Sequence, residues 1–101
     1  MRIDVIGRHM DITDAIREHA EEKTGKLDRF HDGLQQVTWT IERQERASGD
    51  EFTVELIVDV EHHNDFVSKE TGADVYAAID SAQHKAIRQL RDHNEKLHER
   101  R

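Results

Sequence analysis

The run Val75-Tyr76-Ala77-Ala78-Ile79-Asp80-Ser81-Ala82-Gln83-His84-Lys85-Ala86-Ile87-Arg88-Gln89-Leu90-Arg91 decides how this chain folds. At helical pitch, Val75, Ile79, Ala82, Ala86 and Leu90 form one apolar stripe, while Lys85, Arg88 and Arg91 occupy roughly the opposite side. The stripe requires a surface to cover it. The cations form a ladder without evident acidic partners, in a chain whose formal net charge is −7. Local positive charge against an acidic background points to an anion, most simply a phosphate backbone.

Working back from this helix, Phe52, Val54, Leu56, Val58 and Val60 alternate with polar residues, as do Val37, Trp39 and Ile41. These are two half-buried strands, and the small polar residues of Arg46-Ala47-Ser48-Gly49-Asp50 join them as a hairpin loop. A shorter strand is expected around Phe66-Val67-Ser68, and the long helix starts near Ala73 or Asp74. At the front of the chain Ile3 and Val5 mark a strand that ends at Gly7. From a Thr13 N-cap, Ala15, Ile16, Ala20, Leu27 and Phe30 recur at helical spacing until Gly33 stops the helix. Thr24 and Gly25 are weak helix formers and predict loose final turns.

The order is therefore β-α-β-β-β-α. A right-handed crossover makes the first two strands parallel neighbours, and tight turns make the later ones antiparallel. Each helix has one apolar stripe and the sheet has one polar face, so both helices pack on the other face. The expected class is α+β, with a four-stranded mixed sheet and two helices on one side.

Composition removes whole classes of function. The 101 residues suffice for one domain with a modest core, and 37% charged residues leave apolar positions that are sparse but periodic. Cysteine is absent, which excludes disulfides, thiolate nucleophiles and cysteine-bound zinc. No stretch reaches the roughly 20 apolar residues of a membrane span, and the start lacks a secretory h-region, so a soluble cytoplasmic protein is expected. No nucleophile with a base and no phosphate-cradling glycine loop is present, so no enzyme and no cofactor is expected. Among the eight histidines, His62 and His63 point apart on an extended segment, and His84, His93 and His98 lack metal-ligand spacing. No metal site is expected.

Charge is unevenly distributed. From Glu42 to Asp65 eight acidic residues face two basic ones, Arg43 and Arg46, which predicts an acidic sheet. Lys23, Lys26 and Arg29 repeat on the first helix the spacing of Lys85, Arg88 and Arg91 on the second. Side by side, the helices would bring six cations to one surface, oriented toward a polyanion. Tyr76 and Asp80 lie one turn apart but read as packing residues, the Tyr76 ring against the sheet with its hydroxyl bonded. Trp39 shares the register of Val37 and Ile41 and belongs to the core. The edge strand near Phe66 leaves self-association open.

Three segments, Gly7-Arg8-His9-Met10-Asp11-Ile12-Thr13, Glu22 through Phe30, and Asp74-Val75-Tyr76-Ala77-Ala78-Ile79-Asp80, resemble the ribosome hibernation factors. That family comprises hibernation-promoting factor and ribosome-associated inhibitor A, also called sigma-54 modulation protein and ribosomal subunit interface protein. The resemblance spans essentially the whole chain. It implies a domain similar to double-stranded RNA-binding domains that binds the small ribosomal subunit, through 16S-type rRNA and neighbouring ribosomal proteins. There it blocks the path of messenger and transfer RNA, and a second hibernation factor can act beside it. Residues 1–101 would then be one ribosome-binding domain of the short type, without the C-terminal dimerisation domain of long members.

Carried onto this chain, the resemblance puts rRNA contacts at Lys23, Lys26, Lys85 and Arg88, extended by Arg29 and Arg91. Arg8, expected in the loop between the first strand and helix, is a further candidate. Asp92 and Asn94 stand where members similar to hibernation-promoting factor keep lysines. The alternative from another class is a protein-interaction module of the same fold, using an acidic sheet to bind a basic partner.

Overall fold

The structure, a computed structural model, describes residues 1–99, with side chains through Lys96. Arg100, Arg101 and the His98 side chain considered above lie outside the described residues. The elements are β1 (Arg2–Arg8), α1 (Asp14–Phe30), β2 (Leu34–Arg46), β3 (Gly49–Val60), β4 (Phe66–Gly72) and α2 (Val75–Glu99). They form one mixed sheet in the order β1-β2-β3-β4, with β1 parallel to β2 and the other pairs antiparallel.

Both helices cover the same sheet face. Val5, Val37, Trp39, Ile41, Val54, Leu56, Val58 and Val60 face inward from the strands, and Ile16, Ala20, Leu27, Val75, Ile79, Ala82, Ala86 and Leu90 meet them from the helices. All are buried, and side chains half a period away on the strands form the open face. The predicted α2 stripe is thus the buried one, widened by Ala78 and Gln83.

Local chemistry explains the boundaries. Thr13 caps α1, its hydroxyl accepting from the Ile16 amide at 3.2 Å. Asp74 caps α2 in the same way, accepting from the amides of Tyr76 (2.9 Å) and Ala77 (3.3 Å). α1 ends at an extended His31, before Gly33, whose φ of +92° then turns the chain into β2. The β2–β3 connection shrinks from the expected five residues to Ala47-Ser48, because Gly49 at φ +124° closes it against Arg46. At the end of β1, the Met10 carbonyl occupies the space a side chain at Gly7 would fill. This close approach lets the chain cross over the strand end toward α1.

Thr24 overturns the expectation of loose turns. It is fully buried, its hydroxyl donates to the Ala20 carbonyl at 2.9 Å, and it accepts the Trp39 indole N–H at 2.8 Å. Trp39 therefore brings a polar donor into the core only because α1 supplies an acceptor. On the far side, α2 covers β4: Gln89 donates to the Val67 carbonyl (2.9 Å), Lys85 to the Lys69 carbonyl (3.1 Å), and Ser68 to the Ala82 carbonyl (2.8 Å). The first two bonds occupy backbone acceptors of the strand that sequence left open to self-pairing.

Replacing Thr24 with Val should strand the Trp39 donor and destabilise the fold by about 1–3 kcal/mol. In a Trp39→Phe background the same change should have a much smaller effect, as measured by urea unfolding. Equal effects in both backgrounds would show that the hydrogen bond is not the source.

Candidate nucleic-acid interface

The helices run in the same direction, meeting first through His19 with Tyr76 and Asp80 and later through Phe30 with Arg91 and His31 with Asn94. Their outer surface is where the sequence places six cations. An i, i+3, i+6 spacing sweeps about 120° around a helix, so each ladder fans out, and its members have different surroundings.

Lys26, Arg29, Arg88 and Arg91 are exposed and form no ion pair among the described residues. Arg91 holds its guanidinium 5.8 Å from the centre of the Phe30 ring, which orients the cation while leaving its charge unneutralised. The other two ladder residues are engaged. Lys85 turns toward the edge strand and pairs with Glu70 at 2.8 Å. Lys23 turns inward between the helices, its side chain only 14% exposed, and pairs with Asp80 at 3.3 Å.

Asp80 is the hub of that junction, accepting also from His19 Nε2 at 2.7 Å when that nitrogen carries a proton. Partial burial opposes the Asp80 charge, but the hydrogen bonds and charges of His19 and Lys23 outweigh it and hold the carboxyl below its ordinary 3.8. Burial also opposes the Lys23 charge, and bonding to Asp80 with the Asp80 and Glu22 charges keeps its pKa above 10.5.

Arg8 does not join the others. It is the last residue of β1 and lies on the open sheet face, opposite Glu42 in register and beside Glu55 and Lys69. Nor is that face the acidic surface expected. Its acids alternate with cations: Arg2 pairs with Asp4 (3.2 Å), Arg46 with Glu51 (3.1 Å), and Glu55 stands opposite Lys69. Glu45 and Asp50 project on the other side, around Arg43 (3.3 and 4.0 Å). Pairing across strands, invisible along the chain, disperses the acidic run.

Tyr76 departs furthest from expectation. The residue is 39% exposed and its ring lies nearly perpendicular to that of His19, with centroids 5.2 Å apart, instead of packing on the sheet. The available signal was its offset from the Val75–Ile79 stripe by most of a right angle. His19 and Phe30 were missed as interface residues because only the helix pairing brings them to α2. At the far end, His63 stacks on Phe66 at 4.5 Å, and His93 meets both rings. A concavity of about 540 Å³ near the helix N-termini, lined by residues including His9, Arg43 and Asp50, contains none of the six ladder cations.

A sheet covered on one face by two parallel helices, with unneutralised cations on the helical side, defines a binding module of the α+β class. The chain belongs to the family described as sigma 54 modulation protein / S30EA ribosomal protein, whose model matches residues 3–98. It is 34% identical to the ribosome hibernation promoting factor of Azotobacter vinelandii, over 99% of this chain and 89% of that one. The Protein Y N-terminal domain of Thermus thermophilus shares its fold with a TM-score of 0.76 and 34% identity, covering 89% of this chain and 96% of that one. A ribosomal subunit interface protein from Coxiella burnetii superimposes with a TM-score of 0.79 at 22% identity, over 94% and 99% of the two chains. Members of this family are ribosome hibernation and modulation factors, which bind and do not catalyse.

The junction has a signed pH dependence. Asp80 stabilises the fold above its unfolded pKa and loses that contribution as pH falls through its lower folded value; Lys23 contributes below 10.5 and loses it as pH rises through its higher one. Carboxyl NMR should place the Asp80 midpoint below 3.8, and Lys23→Met should raise it. A midpoint at or above 3.8 in the native chain would contradict the pairing.

Proposed function

We propose that this chain is a ribosome hibernation factor that docks its helix layer on small-subunit rRNA and sterically blocks the messenger and transfer RNA sites. The observation that carries this reading is the exposed set Lys26, Arg29, Arg88 and Arg91, unneutralised on one layer of a chain with net charge −7. Charge left unpaired in an acidic protein is available to phosphates, and a fixed two-helix scaffold presents it as a surface instead of a flexible tail. Kinship with hibernation promoting factors supplies the target. The setting would be cytoplasmic, with neighbouring ribosomal proteins at the edges of the contact and room for a second factor.

The six predicted contacts divide accordingly. Lys26, Arg29, Arg88 and Arg91 carry the phosphate contacts, while Lys23 and Lys85 hold the helices to each other and to β4 and add to the local potential. Arg8, on the opposite face, contributes little. The alternative of an acidic sheet gripping a basic partner loses its basis, since that face interleaves both signs.

Lys26→Glu with Arg88→Glu should weaken co-sedimentation with isolated small subunits by at least about a hundredfold while leaving thermal unfolding unchanged. Arg8→Ala should bind as the native chain does. A doubly reversed variant that still sediments fully would overturn the assignment of the RNA face.

A further inference from the structure

The basic layer has an aromatic feature that phosphate contact does not require. Tyr76 projects from the first turn of α2 with 39% of its surface exposed, an unusual expense of apolar area for a helix that has a core to fill. Its placement is controlled. The Asp74 cap takes the Tyr76 amide at 2.9 Å and fixes the start of the helix. The His19 ring stands nearly perpendicular to the Tyr76 ring, at 81° between planes, and Asp80 holds His19 at 2.7 Å while also pairing with Lys23. A ring held by a neighbour that is itself anchored has a fixed orientation, and its exposure leaves it open to a partner.

Resting on the rRNA-binding reading above, we propose that Tyr76 is a stacking subsite for an unpaired nucleobase at the head of the basic layer. Phosphates of the same RNA run toward Lys26, Arg88 and Arg91. Charge complementarity selects RNA as the occupant, and the exposed ring selects its unpaired part. A base within an A-form duplex has both faces stacked and cannot meet a side-chain ring, whereas a bulged or single-stranded base can. His19 is a positioning residue in this arrangement, since it acts through Tyr76. The subsite gives the module a preference for irregular RNA that a purely electrostatic surface lacks.

The test uses small ribosomal subunits with the native chain, Tyr76→Leu, Tyr76→Phe and the Lys26→Glu, Arg88→Glu variant. It reads affinity across a salt series and chemical protection of unpaired bases. Tyr76→Leu should lose about tenfold or more in affinity with an unchanged salt slope, and one or a few unpaired bases should lose protection. Tyr76→Phe should restore both. Native-like affinity and protection in Tyr76→Leu would overturn the subsite while a failing charge-reversal variant kept the rRNA reading. An equal loss in Tyr76→Phe would overturn stacking in favour of the hydroxyl. No binding by the native chain would overturn both readings.

Discussion

The buried hydrogen bond from Trp39 to Thr24 sets the geometry on which the helical surface depends. An indole N–H at the centre of a dry core needs an acceptor, and α1 provides one only at a single height and rotation above the sheet. With Thr24 held there, Lys23 falls against α2 and Lys26 falls on the outer surface. α2 is fixed from its other flank by side-chain bonds to β4 carbonyls. The two helices are therefore located independently against one sheet, and their exposed cations inherit that rigidity. A surface built this way has lost its ordering entropy before any partner arrives.

An overall charge of −7 is compatible with polyanion binding because screening is local. At physiological salt the Debye length is about 8 Å, so a phosphate near α2 responds to its immediate neighbours and not to the net figure. From Gln83 to Arg91 the helix contains no acid. On the sheet Glu51 pairs with Arg46 and Glu55 stands opposite Lys69, and at the helix junction Asp80 is paired with Lys23. The same balance implies weaker long-range attraction than a uniformly basic protein would exert, and a greater share of recognition by shape and specific contacts.

The element order, the parallel first pair, the single covered sheet face and the buried stripe were legible from periodicity, because burial writes itself into spacing along one element. Features that depend on two elements were not. Lys23 and Lys85 looked equivalent to Lys26 and Arg88 until Asp80 and Glu70 were seen beside them. Arg8 needed the parity of β1, and the dispersal of the acidic run needed cross-strand register. Thr24 was judged by helix propensity, a small term that one buried hydrogen bond outweighs. Tyr76 was assigned to the core because aromatic residues usually go there; its offset from the stripe was the better guide.

The central claim is that four unpaired cations on a rigid helix layer meet phosphates of the small subunit, and the salt dependence of native-chain binding measures it most directly. With roughly 0.7–0.9 counterions released per contact, log K against log salt should fall with a slope of about −3. A slope near zero, or no binding at low salt, would contradict the account.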